Sequence, residues 1–113
     1  MYNNNTNGVP LKKEHYNSIK GLIEAIETDP NAEPFLEAVP WQELELNDYP
    51  EIVKNPMDLS TLKTNLFAGK FNTYEECFIE LQLIWDNCKL YNMAGSDIYK
   101  LSERMEKVCR REL

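Results

Sequence analysis

The sequence predicts an all-α domain, a four-helix bundle interrupted by one long loop. Three observations carry that prediction. Four stretches place apolar residues three and four apart, the spacing of a helix with one buried face. Those stretches begin or end on residues suited to cap a helix. Five of the six prolines fall between the first stretch and the second. At 113 residues, 42% hydrophobic and 27% charged, the chain has the size and composition of one domain with one core.

The first helix is expected over about 13–26, with Tyr16, Ile19, Leu22, Ile23 and Ile26 on one face. It must stop before Asp29-Pro30, because the residue preceding a proline is pushed out of the α region. The segment from Asp29 to Met57 is longer than the ~12–15 residues usual for a connection, so it is either functional or disordered. Its composition decides between the two. Pro30, Pro34, Pro40, Pro50 and Pro56 restrict the chain, and Phe35, Leu36, Val39, Trp41, Leu44, Leu46, Tyr49, Ile52 and Val53 are too apolar for a solvated linker. The loop is expected to pack on the bundle along a fixed irregular path and to wall a site.

The second helix carries Leu59, Leu62 and Leu66, with Asp58 as N-cap and Gly69 as terminator. Thr73-Tyr74-Glu75-Glu76 reads as a capping box opening the third helix. Its buried stripe is Tyr74, Cys77, Phe78, Leu81, Ile84, Trp85 and Cys88. The fourth runs from about Asp97 to Glu112, with Ile98, Leu101, Met105 and Val108 inward and Lys107, Arg110 and Arg111 near the negative end of its dipole. The Asn-rich residues 1–10 are expected to be a disordered tail and 11–113 the bundle.

Charge and side-chain chemistry narrow the function. The formal net charge is −7, and nine acids (Glu24, Glu27, Asp29, Glu33, Glu37, Glu43, Glu45, Asp48, Glu51) lie between Gly21 and Val53 with no Lys, Arg or His among them. Nucleic acid, which needs a cationic surface, is therefore not expected as a direct partner. No apolar run approaches the ~20 residues of a membrane span, and the N-terminus lacks the apolar core of a signal peptide, so no membrane role is expected. Cys77, Cys88 and Cys109 make an odd count without Cys-x-x-Cys spacing, which suggests neither disulfide nor zinc. Cys77 and Cys88 read as inert core thiols, Cys109 carries no signal, and His15 reads as solvated. No nucleophile and base, no separated carboxylate pair and no Gly-rich phosphate loop can be placed, so neither catalysis nor a cofactor is expected.

The run Asp48-Tyr49-Pro50-Glu51-Ile52-Val53-Lys54-Asn55-Pro56-Met57-Asp58-Leu59-Ser60-Thr61-Leu62 resembles the bromodomain segment that leads from the long loop into the second helix. Asn87-Cys88-Lys89-Leu90-Tyr91-Asn92 resembles the end of that family's third helix, and the spacing between the two blocks agrees. The resemblance covers about Leu11 to Glu112. It implies a left-handed antiparallel bundle whose two loops at one end enclose a pocket for N-acetyl-lysine. By position, Asn92 matches the asparagine that donates to the acetyl carbonyl, and Tyr49 the tyrosine that holds the same carbonyl through a water. Phe35, after Pro34, matches the phenylalanine near the acetyl methyl group. Val39, Leu44 and Leu46 match the loop wall, Cys88 and Tyr91 the helix-side wall, and Ile98 the residue at the mouth.

Two positions depart from that pattern. Glu33 stands where many members have a tryptophan shelf, and Pro50 where many have a second tyrosine; Trp41 is expected to replace part of the shelf. The implied function is a non-catalytic, nuclear reader of acetylated histone tails or other acetylated proteins, monomeric as an isolated domain. The rival reading is a helical interaction module with a degenerate pocket. Because the base-free window coincides with the loop, a negative rim around a nearly neutral slot is expected.

Overall fold

The computed structural model describes residues 11–112. The tail expected at 1–10 and the last residue of the expected bundle lie outside that range. The described chain is helical: α1 (Lys13–Glu27), a 3-10 segment (Pro30–Phe35), α2 (Tyr49–Ile52), α3 (Leu59–Phe67), α4 (Tyr74–Tyr91) and α5 (Asp97–Glu112). Helices α1, α3, α4 and α5 form the bundle. Each packs on the next along the chain and α5 closes back onto α1; the links from α3 to α4 and from α4 to α5 are short, as antiparallel neighbours require, and the long loop joins α1 to α3. No described helix is long and apolar enough to cross a membrane.

The helix ends follow from side-chain chemistry. The Thr28 hydroxyl donates to the Ala25 carbonyl at 2.7 Å where α1 stops. At the start of α3 the buried Asp58 carboxylate accepts the Thr61 amide at 2.9 Å and the Thr61 hydroxyl at 2.7 Å. The same helix ends on Gly69 at φ +72°, with Gly69 N–H donating to Leu66 C=O and Lys70 N–H to Asn65 C=O, the paired bonds of a Schellman end. The capping box of α4 is only half as expected. Thr73 Oγ1 accepts the Glu76 amide at 3.3 Å, but Glu76 reaches past the cap to the Asn72 amide at 2.8 Å.

The core joins Ile19, Ile23 and Ile26 of α1, Leu59, Leu62 and Leu66 of α3, Cys77, Leu81, Ile84 and Trp85 of α4, and Met105 and Cys109 of α5. The buried face of α5 is rotated from the expected one. Ser102 and Cys109 are buried beside Met105, whereas Ile98, Leu101 and Val108 are only partly covered. A reading by apolarity passes over Ser102, which is buried because its hydroxyl donates to the Tyr99 carbonyl at 2.6 Å. Burial pushes the Cys77 and Cys109 thiols up to about 11, so both are protonated at neutral pH. His15 is half-buried rather than solvated: its ring meets Tyr74 edge-on with centroids 4.9 Å apart.

The long loop contains more regular structure than expected. Asp29 Oδ1 accepts the Asn31 amide at 2.8 Å and starts the 3-10 segment, whose Phe35 is buried. The Leu36 carbonyl accepts the Ser60 amide at 3.0 Å, tying the loop to the first turn of α3. Farther on, Leu46 N–H donates to Trp41 C=O at 2.8 Å and Glu45 N–H to Gln42 C=O at 3.2 Å, a second Schellman turn. Here the left-handed residue is Glu45, at φ 58°. A side chain in that conformation costs roughly 1–2 kcal/mol, partly offset by the greater unfolded-state freedom of glycine. Glu45→Gly is therefore expected to raise stability by about 0.5 kcal/mol. The measurement is the urea midpoint at unchanged slope; a lower midpoint would mean that the turn stores no strain.

Candidate functional site

At the end of the bundle where α4 finishes and α5 begins, the loop and the two helices enclose a cavity of about 330 Å³. Its position follows from the fold: the loop is tied to α3 through Ser60 and lies against α4 through α2, leaving a slot between loop and helices. Pro34 and Phe35 from the 3-10 segment, Val39, Leu44 and Leu46 from the loop, and Tyr49 from α2 line one side. Cys88, Tyr91 and Asn92 at the end of α4 and Ile98 at the start of α5 line the other. All ten residues singled out in the sequence meet in this one cavity.

Several of them are held by specific contacts. Phe35 lies edge-on to the buried Trp85, with ring centroids 5.1 Å apart and planes at 82°, so the core fixes the deep wall. Tyr49 and Tyr91 meet edge-on at 4.8 Å, and the Tyr91 hydroxyl donates to Asp48 Oδ1 at 2.6 Å, bridging α4 to the loop. That hydrogen bond raises the Tyr91 pKa. Burial raises that of Tyr49, followed by the influence of Cys88. The Cys88 thiol, raised by burial, donates to the Ile98 carbonyl at 3.4 Å and so links the two helices at the mouth.

Asn92 is the C-cap of α4, in extended conformation. Its main-chain N–H donates to the Cys88 carbonyl at 3.0 Å, and its side-chain Nδ2 donates to the same carbonyl at 2.9 Å. Capping and cavity lining are thus two roles of one residue. A carbonyl partner demands the NH₂ end of the amide, so the side chain cannot turn over without losing that bond. Nδ2 also lies 3.6 Å from Cys88 Sγ, a weak acceptor, so both contacts of the amide nitrogen are to Cys88.

Five lining residues carried no site expectation: Glu37, Pro40, Met57, Ile84 and Asn87. Asn87 had a signal, being polar on the apolar stripe of α4. It is 8% exposed, and its Nδ2 donates to the Asn55 carbonyl at 2.8 Å, fixing the loop just before α3. Glu37 changes the expectation of a slot without an anion. It is the one charged residue lining the cavity, but it is exposed and hence screened by solvent at the mouth. Trp41 does not line the cavity, so the expected replacement of the shelf fails. Pro40 lines it instead, while Trp41 is half-buried and its main chain holds the Schellman turn.

A helical bundle that presents an oriented amide in a mainly apolar slot between two loops has the shape and chemistry to hold a small neutral group. The chain belongs to the bromodomain family, a family of acetyl-lysine-reading modules: the Bromodomain model matches residues 19–104. It is 32% identical over 98 residues to the histone acetyltransferase GCN5 of Debaryomyces hansenii, covering 87% of this chain and 21% of that protein. It is 29% identical over 106 residues to the SWR1 complex bromodomain subunit bdf1 of Schizosaccharomyces pombe, covering 94% and 18%. The chain therefore spans about a fifth of the length of these curated relatives. The second bromodomain of Candida albicans Bdf1, solved bound to an imidazopyridine, superposes with a TM-score of 0.85 at 25% identity, covering 91% of this chain and all of that one. A superposition of that quality over the whole bundle requires the same handedness, which makes this a left-handed antiparallel bundle.

Proposed function

We propose that this domain is a non-catalytic reader of N-acetyl-lysine, most directly on histone tails, and that it tethers a larger nuclear protein to chromatin. The observation that carries the reading is the Asn92 amide, pinned by the Cys88 carbonyl at the edge of an apolar cavity. Acetyl-lysine is a neutral amide on an apolar stem and suits a mostly apolar slot with one or two oriented polar groups. In this reading Asn92 donates to the acetyl carbonyl and Tyr49 reaches the same oxygen through a water. Phe35 and Pro34 pack on the methyl group. Val39, Leu44 and Leu46 cover the stem on one side, Cys88 and Tyr91 on the other, and Ile98 stands at the mouth.

Discrimination rests on the unmodified side chain. Its ammonium would have to leave water without a buried anionic partner, a penalty of several kcal/mol. Glu37, exposed at the mouth, lies where it can attract a neighbouring basic residue of a tail. The other exposed loop acids, Glu33, Glu43, Glu45, Asp48 and Glu51, extend that negative surface. The loop thus draws a basic tail electrostatically, while the slot accepts the lysine that has lost its charge.

The test is a calorimetric titration of the monomeric domain with matched acetylated and unmodified histone peptides at low and high salt. Binding of the acetylated form is expected to be at least tenfold tighter at both. Affinity is expected to fall severalfold as salt rises from roughly 0.05 to 0.5 M, because exposed charges are screened. Equal binding of the two peptides would favour an interaction module that does not read acetylation. Affinity that ignores salt would remove the role of the acidic loop.

A further inference from the structure

Helix α4 is apolar on two opposite faces. At roughly 100° per residue, Cys77, Leu81, Ile84, Trp85 and Cys88 lie on the side of the core, whereas Ile79, Leu83 and Leu90 fall on the far side. Ile79 is 64% exposed and Leu90 62%, and Leu83 is half-buried without packing on the core. An apolar side chain exposed singly needs no explanation, but these three are in register. With Asp86 they stand at i, i+4, i+7 and i+11, the alternating steps of four and three that make the a/d seam of a coiled coil. A helix buries the apolar face it carries, and one that is apolar on both sides is built to be covered on both. The bundle covers only the inner face.

The seam carries a charge near its centre. Asp86 accepts the Gln82 amide at 3.0 Å but belongs to neither of the two ion pairs among the described residues, Lys63 with Glu27 and Lys89 with Glu106. Lys89, three residues on, is thus already engaged. Glu75 lies one turn before Ile79 on the same side and Glu80 lies on the flank, so the surroundings of the seam are acidic. A second copy of this chain does not fit. Antiparallel pairing about the midpoint sets Ile79 opposite Leu90 and Leu83 opposite Asp86, so each copy would bury a carboxylate against a leucine. A parallel pair in register would set Asp86 against Asp86, and two chains of net charge −7 repel in either arrangement.

We infer that the outer face of α4 is a docking surface for an amphipathic helix of a partner protein, one with apolar residues in heptad spacing and an arginine or lysine facing Asp86. The apolar contacts supply the attraction. The central ion pair fixes the register, the role that a single polar residue at an a or d position plays in coiled coils. Glu75 and Glu80 favour further basic residues along the flanks of the partner helix. From Ile79 to Leu90 the seam rises about 16 Å at 1.5 Å per residue, the length of three turns. An interface of that size belongs to the small, transient class, so the affinity is micromolar rather than nanomolar. The face points away from the cavity: Cys88, which lines the cavity, lies roughly 160° around the helix axis from Leu90. Both surfaces can be occupied together, and the inference does not rest on acetyl-lysine recognition.

The probe is a fluorescent peptide of three heptads with leucine or isoleucine at every a and d position except one central arginine. Lysine at every e and g position keeps it from pairing with itself. Titration with the full 113-residue chain, followed by anisotropy, is expected to show saturable micromolar binding. A peptide with glutamate in place of the arginine is expected to bind at least tenfold more weakly, because like charges meet in a desolvated seam. Asp86→Arg is expected to weaken the arginine peptide similarly and to restore the glutamate peptide, a reciprocal rescue that general attraction to an acidic chain cannot produce. Ile79→Lys with Leu90→Lys is expected to abolish binding, while Phe67→Lys, at an exposed apolar residue of α3, changes little. All four positions are exposed, and an unchanged urea midpoint shows that the variants fold. The inference is overturned by absence of saturable binding, by failure of the reciprocal rescue, or by equal binding of a peptide of the same charge with serine at a and d. A dimer of the unaltered chain that Ile79→Lys with Leu90→Lys abolishes would also overturn it, by making a second copy the occupant.

Discussion

Replacement of Trp85 by alanine is expected to lower the unfolding free energy by about 3–5 kcal/mol, the range for a large buried aromatic. Trp85 is 1% exposed, lies on the inner face of α4, and belongs to the same buried core as Met105 and Cys109 of α5. A domain of this kind has only about 5–15 kcal/mol of stability in all. The substitution should therefore leave a marginal fold, which urea unfolding will measure. The effect reaches the site because Phe35, on the deep wall of the cavity, keeps its position by lying edge-on to Trp85. Peptide affinity should consequently fall in the fraction that remains folded. Trp85→Phe keeps an aromatic edge and is expected to lose only about half as much. A loss below 1 kcal/mol in the alanine variant would show that the junction between bundle and loop collapses to fill the space.

Asn92→Ala is expected to reduce affinity for an acetylated peptide by tenfold or more, the cost of about 1–3 kcal/mol for leaving a desolvated acceptor unmatched. The same change removes the side-chain bond to the Cys88 carbonyl and should lower stability by about 1 kcal/mol. These two losses must be separated. Asn92→Asp keeps the size of the side chain but has no donor and turns a carboxylate toward the Cys88 carbonyl, so it should bind no better than alanine. Asn92→Ser is small and retains a donor; partial recovery of affinity in that variant would distinguish a hydrogen bond from mere positioning. Undiminished binding by Asn92→Ala, with the variant shown to be folded, would contradict the assigned role.

The four main helices were legible because each carries its own local signals, a stripe of apolar residues and terminal caps such as Asp58 and Gly69. What apolar pattern could not convey was the bonding of polar side chains and the contacts between distant segments. Ser102 became a core residue through a bond to Tyr99 that hydropathy does not register, and His15 is partly covered by Tyr74, a residue 59 positions away. The lining of the cavity was legible because the chain resembles one family over nearly its whole length, and the ten residues that the resemblance named do line one cavity. Trp41 shows the limit of that reasoning. An aromatic in the right part of a loop was assumed to face the cavity, but the hydrogen bonds of its own turn determine which neighbour does, and that neighbour is Pro40.

The way the loop holds its shape bears on how such a site can diversify. Between Val39 and Tyr49 its course is set by main-chain bonds: Trp41 to Val39, Leu44 to Pro40, Leu46 to Trp41 and Tyr49 to Leu46. None of these depends on the side chains of Val39 or Leu44, which face the cavity, and Leu44 is more than half exposed. Substitutions at those two positions should therefore reshape what the slot admits at little cost to folding. Changes at Phe35, which the core holds, would disturb both. The scaffold thus separates a mutable wall from a fixed one, so that ligand preference can drift among descendants of this sequence while the fold is preserved.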